Sequence, residues 1–124
     1  MAATVLVVED DACIRDLVLE LLGGEGWKVV GAGNGEEALR RLREGPVRPE
    51  LILLDLMMPV MDGWQFRAEQ LRDPTLAQIP VVLMSASPEE VAAEVSVDDR
   101  VPKPFDIDAL LRAVTRHVSR SPAP

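Results

Sequence analysis

Short apolar runs rich in β-branched residues alternate along the chain with segments whose apolar residues recur at helical spacing. Thr4–Val8, Lys28–Ala32, Leu51–Leu54 and Val81–Met84 each predict a strand, and a fifth, shorter one is expected near Arg100–Val101. Between them, Ile14, Leu17, Val18 and Leu21 predict a first helix with one face for a sheet, and Ile107, Leu110, Leu111, Val114 and Val118 predict a last one. Asn34 suits the cap of a helix through Glu44, Asp62 or Gly63 opens one through about Leu71, and Pro88 suits the first residue of another. Five strand and helix pairs in strict alternation imply an α/β, doubly wound parallel sheet with helices on both faces, because parallel neighbours need crossover connections. The runs VLVV, LILL and VVLM agree, since strands covered on both faces read as continuous apolar stretches.

Ligands of such sheets sit beyond the carboxyl ends of the strands. That is where this chain places its unusual residues: Glu9 and Asp10 end one apolar run, Asp55 another and Ser85 a third, while Lys103 precedes a proline. Taken singly, each has a plain reading. An acid stabilises a helix N-terminus, an aspartate caps a turn, a serine begins a loop and a lysine is a solvated charge. Unrelated surface residues have no reason to end successive strands together, and acids, a hydroxyl and an ammonium converging on one edge suit a phosphate and a metal ion.

A length of 124 residues suits one domain. Hydrophobic residues make up 48% of the chain, yet no apolar run approaches the ~18 residues of a membrane span, and no basic region precedes the first apolar stretch. A soluble, cytoplasmic protein is expected. The single Cys13 can form no internal disulfide and is read as structural. Thirteen basic against twenty-one acidic side chains give a net charge of −8, which disfavours direct contact with nucleic acid. Residues 1–118 form the expected domain, and 119–124 (SRSPAP) have the composition of a tail or the start of a linker.

In order and spacing, VLVVEDD, LILLDLMMPVMDGW, VVLMSAS and VPKPF resemble the four motif blocks of the receiver domains of two-component response regulators, in the manner of a chemotaxis-regulator-like single domain. Each block is weak alone; together they are specific, and the likeness covers essentially the whole chain. The resemblance implies the flavodoxin-like strand order 2-1-3-4-5. It also implies Asp55 as phosphoacceptor and a Mg²⁺ ion held by Asp10, by Asp55, by the backbone carbonyl of Met57 and, through water, by Glu9. Lys103, the Ser85 hydroxyl and the Ala86 amide would meet phosphoryl oxygens. Asp11 matches no ligand position and is assigned to the start of the first helix. The Lys103–Pro104 peptide is expected to be cis. Met57 and Ser87 would flank the attacking water and tune hydrolysis. The implied partners are a histidine kinase or histidine phosphotransfer protein, docking near the first helix, and a downstream protein. Neither nucleic acid nor membrane is contacted directly. Such a domain is a signalling switch and not an enzyme, although it assists its own phosphorylation and dephosphorylation. Since no DNA-binding element is read in 103–124, a single-domain regulator or a module of a longer protein is expected.

The chain departs from the family at the output side. Three residues before Lys103, receivers usually carry a Tyr or Phe that swings inward on activation; here it is Arg100. The stretch between Ser85 and Lys103 is short, and Val91–Asp99 offers little apolar periodicity, so the fourth of the five helices is expected to be short or irregular. A receiver-fold scaffold that binds a partner without phosphorylation is the alternative. A haloacid-dehalogenase-like phosphatase would need a second aspartate two positions after Asp55, where Met57 stands. A flavodoxin would need a hydroxyl-rich loop where the chain reads EDD. His117 and the Arg40, Arg41 and Arg43 set are read as surface, Trp27 and Trp64 as packing residues, and Met57, Met58 and Met61 as loop packing more than a soft-metal site.

Overall fold

A computed structural model of the chain describes residues 3–45, 48–85, 97–102 and 106–118. Their order is β1 (Thr4–Val8), α1 (Ala12–Gly24), β2 (Lys28–Ala32), α2 (Gly35–Glu44), β3 (Leu51–Asp55), α3 (Gly63–Arg72), β4 (Val81–Ser85), β5 (Asp99–Pro102) and α4 (Ile107–His117). The five strands are all parallel and lie in the order β2-β1-β3-β4-β5. The helix expected to open at Pro88 lies outside the described residues, as do the Lys103–Pro104 peptide and the tail.

Alternation along each strand divides the core into two layers. Val5, Val7, Leu51, Leu53, Val82 and Met84 pack with Val18 and Leu22 of α1 and with Leu110, Ala113 and Val114 of α4. On the other face Leu6, Val8, Ile52, Leu54 and Val81 pack with Ala38, Leu39 and Leu42 of α2 and Phe66 of α3. Every residue of β3 is buried, as the central strand of a sheet covered on both sides must be. At about 1.5–3 kcal/mol for each large apolar side chain, these two layers supply the main force holding the sheet together.

The helix ends follow local chemistry. Asp11 caps α1 by accepting from the Cys13 and Ile14 amides at 2.9 and 3.1 Å, as assigned. Asn34 accepts from the Glu37 amide, and Asp62 forms a capping box with Gln65. Two helical faces turn out differently from the expectation. Along α1 the stripe towards the core is Ile14, Val18 and Leu22, four residues apart; Leu17 lies off it and is 49% exposed. In α4, Ile107 belongs to the stripe but sits at the helix end, ahead of the sheet, and is equally exposed.

His117 also departs from its reading as a surface residue. It is half-buried, and its Nε2 lies 3.1 Å from Asp99 Oδ2, an oxygen that Arg116 also engages from Nε at 3.1 Å and from its terminal amino group. Asp99 therefore ties the start of β5 to the end of α4. Of the other surface cations, Arg41 pairs with Glu37, while Arg43 reaches Glu69 and Asp73 across to α3. A polar network missed in the sequence closes the turn after α3. The buried Arg67 donates to Gln70 Oε1 at 2.8 Å, and the Gln70 amide donates to the carbonyls of Leu76 and Ile79 at 2.9 and 3.0 Å. Burial pushes the Arg67 guanidinium down from its ordinary value, and the Asp98 carboxylate partly offsets that.

Although burial raises it, the Asp99 carboxyl lies below its ordinary value because Arg116, the Arg100 amide and His117 all favour its anion. A lowered folded-state value adds stability above the unfolded pKa of about 4 and loses it as pH falls through the folded one. Asp99→Asn should therefore lower the urea midpoint at pH 7 by the equivalent of about 1 kcal/mol, with the gap narrowing as pH falls below about 4. A gap independent of pH would rule out this ionic tie.

Candidate functional site

Register assembles the site. Val8 of β1 stands level with Ala32 of β2 and Leu54 of β3, and Asp55 stands level with Met84 of β4. The residues one step past Val8 and Leu54 are Glu9 and Asp55, so continuing the ladder sets these two acids side by side at the carboxyl edge. Together with Asp10, each offers a carboxylate oxygen within 4.8 Å of the others. Glu9 is 1% exposed and Asp55 6%, whereas Asp10 is open to solvent.

Carboxylates at that spacing repel by roughly 3 kcal/mol per pair at the effective dielectric of about 20 that suits protein sites. All three donors are hard oxygens, the set that a magnesium-like cation prefers, and opposite ligands of such an ion stand only about 4 Å apart. The arrangement thus fits a small divalent cation.

Glu9 is held from three sides. Its amide donates to the Ala32 carbonyl at 3.0 Å, its own carbonyl accepts from Arg15 at 2.9 Å, and its Oε1 accepts from the Asp11 amide at 3.3 Å. Sequence reasoning passed over Arg15. The available signal was the pair Gly31 and Gly33 at the end of β2, two residues apart and hence on one face.

The loop after Asp55 is pressed between two helix starts. The Gly63 amide donates to the Leu56 carbonyl at 2.9 Å, and the Gly35 amide donates to the Met61 carbonyl at 2.9 Å. A Cβ on Gly63 would stand 2.6 Å from the Asp55 carbonyl oxygen and 2.7 Å from Leu56 Cα, so only glycine lets α3 begin this close to the acid. Within the loop, Val60 has φ 70°, a left-handed conformation costing a β-branched residue on the order of 1–2 kcal/mol. Met58 is buried among α2 and α3 residues, but Met57 is 70% exposed, so of the expected packing cluster Met57 does not pack. Trp27 is buried in the α1 and α4 layer, and Trp64 packs on Leu56 and Leu83 beside Val97. Cys13, expected to be structural, is exposed in the first turn of α1.

Ser85 ends β4, level with Pro102 of β5. Its side chain lies outside what the structure describes, as do Ala86, Ser87 and Lys103. Arg100 lies in β5 level with Leu83 and is exposed. Among the described residues no helix is long and apolar enough to cross a membrane.

Comparison with known proteins agrees with this architecture. Residues 5–115 match the family model "Response regulator receiver domain". The chain is 38% identical over 126 aligned positions to the phosphate regulon transcriptional regulatory protein PhoB of Escherichia coli (strain K12), covering 96% of this chain and 54% of PhoB. It spans about half the length of the curated relatives it matches. Among solved structures, the receiver domain of a signal transduction histidine kinase from Syntrophus aciditrophicus superposes with a TM-score of 0.86 at 33% identity, covering 95% of this chain and 91% of the other. The phosphorylated cyanobacterial phytochrome response regulator RcpA gives 0.78 at 32%, covering 94% and 91%. The chain belongs to the receiver domain family of two-component response regulators.

The glycine contact gives a direct test. Gly63→Ala should destabilise by roughly 1–3 kcal/mol in urea unfolding, because its new methyl group meets backbone. Gly24→Ala, whose Cβ would meet nothing within 4 Å, should be neutral or stabilising by up to about 1 kcal/mol. Equal midpoints for the two variants would refute the close seating of α3.

Proposed function

We propose that this receiver domain is a phosphoacceptor switch in which Asp55 takes a phosphoryl group from a phosphohistidine donor. The observation that carries the reading is the cluster of Glu9, Asp10 and Asp55 at the carboxyl edge of β1 and β3, with all three carboxylates inside 4.8 Å. One buried acid ends β3, where a nucleophile belongs, and two neighbouring acids can hold the cation that chemistry requires. The relative RcpA, 32% identical, is known in a phosphorylated form.

In this reading an Asp55 carboxylate oxygen attacks phosphorus as the bond from phosphorus to the donor imidazole nitrogen breaks. The imidazole leaves with the electron pair, and Asp55 becomes an aspartyl phosphate. The chemistry a bound Mg²⁺ would supply is neutralisation of charge developing on the phosphoryl oxygens. Asp10, Asp55 and the Met57 carbonyl would hold that ion directly, and Glu9 would do so through water. By the family resemblance, Lys103 would supply an ammonium to one phosphoryl oxygen, and the Ser85 hydroxyl and Ala86 amide would donate to others. Phosphate adds about −1.5 to −2 charges at a point where two conformations lie close in energy, so the domain acts as a cytoplasmic signalling switch and not as an enzyme on other molecules. The donor is a histidine kinase or histidine phosphotransfer protein, and a downstream protein reads the outcome.

Intact mass after incubation with MgCl₂ and acetyl phosphate tests the reading. Wild type should gain one phosphoryl group, with EDTA suppressing the adduct and Asp55→Asn abolishing it. An unmodified wild type, or an equal adduct on the Asp55→Asn variant, would overturn it in favour of a scaffold that binds without phosphorylation, which Arg100 in place of the family aromatic would suit. The exposed Arg100 also suggests that output passes through β5 by another route. Adding beryllofluoride should move the amide resonances of Asp99, Arg100 and Val101, and unchanged resonances there would exclude β5 as the reporting strand.

A further inference from the structure

An arginine on a surface helix ordinarily runs its stem along the helix and leaves its head in water. Arg15 takes another course. From the first turns of α1 its stem crosses the carboxyl end of β2. A Cβ on Gly31 would lie 3.2 Å from Arg15 Cδ and 3.1 Å from Leu19 Cδ1, and one on Gly33 would lie 3.5 Å from the Arg15 terminal nitrogen. These two glycines open a groove in which the guanidinium lies. At its end that nitrogen donates to the Glu9 carbonyl at 2.9 Å.

The surroundings keep it there. Glu37 Oε2 accepts from the Gly33 amide at 3.1 Å, fixing the glycine on one side of the groove. The Gly33 amide is the main reason the Glu37 carboxyl lies below its ordinary value, and the charges of Arg41 and Arg15 add to it. The anion so maintained attracts the Arg15 head. Meanwhile the Glu9 amide is bound to Ala32 of β2. Arg15 and β2 therefore hold the backbone polar groups on either side of the Glu9 Cα, while the Asp11 amide engages its carboxylate.

We propose that Arg15 is a positioning residue for the metal-binding edge: seated in the Gly31 and Gly33 groove, it holds the Glu9 backbone so that the carboxylate faces Asp10 and Asp55. This rests on the divalent-cation reading of the site. Two effects of removing Arg15 have opposite signs. Loss of a nearby positive charge would tighten cation binding through electrostatics, whereas loss of positioning would weaken it, as residues that orient metal ligands do by about 10- to 100-fold. The sign of the change distinguishes them.

MgCl₂ titrations followed by the amide resonances of Glu9, Asp10 and Asp11 supply the test, with urea midpoints recorded for every variant. Arg15→Met, which keeps the stem but has no donor, should shift the Glu9 and Asp10 resonances in metal-free protein and weaken Mg²⁺ binding about 10-fold. Arg15→Lys, with a single-point donor, should recover part of that loss. Gly31→Ala, which crowds the stem, should weaken binding in the wild-type background and have no further effect beside Arg15→Met. Unchanged or tighter binding by Arg15→Met, or equal effects of Gly31→Ala in both backgrounds, would overturn the proposal. Failure of wild type to bind Mg²⁺ would instead sink the cation reading beneath it. Should Arg15→Met fail to fold, Arg15→Lys and Gly31→Ala decide alone: wild-type affinity in both overturns the proposal, and weakened binding in both upholds it.

Discussion

Pairing β1 with β3 in register forces two buried carboxylates to stand side by side at the edge of the sheet, and this enforced proximity of like charge shapes everything around it. Water would keep such groups apart, but apolar contacts along the strands do not let them separate. Val5, Val7, Leu51 and Leu53 on one face and Leu6, Val8, Ile52 and Leu54 on the other are buried, so sliding the pair by one residue would exchange the two faces. Core packing holds the carboxylates together against their mutual repulsion.

The backbone around the acids is correspondingly constrained. Gly63 lets α3 start against the Asp55 carbonyl, Gly35 lets α2 receive the Met61 carbonyl, and Val60 bears left-handed strain between them. On the opposite side Arg15 and β2 hold Glu9. Beyond the acids, Leu56, Leu83 and Trp64 form a small cluster of their own beside Val97.

Much of this was legible in the chain, for a definite reason. Parallel strands buried on both faces are written as unbroken apolar runs, and caps such as Asp11, Asn34 and Asp62 are local choices made within four residues of where they act. The alignment of acids with strand ends was equally visible. Less legible were features set by rotation about a helix axis or by contacts distant in sequence. Leu17 falls on the predicted apolar face yet is exposed, because packing selected the Ile14, Val18 and Leu22 stripe. His117 reads as a solvated helix end but meets Asp99, eighteen residues earlier. Arg67 and Gln70 look like an ordinary polar helix face until the turn before β4 brings two carbonyls to them.

By itself, the sequence determined the alternation of strands and helices, the parallel sheet it requires and the residue types available at the carboxyl edge, since all three follow from periodicity and from what ends each apolar run. Only the tertiary structure decided that Glu9, Asp10 and Asp55 stand within 4.8 Å of one another, which depends on register between strands more than forty residues apart. It alone decided the course of Arg15 as well. Whether an arginine on α1 reaches water or the Glu9 carbonyl depends on two missing side chains at the carboxyl end of β2, and a sequence does not reveal that those glycines lie beneath it.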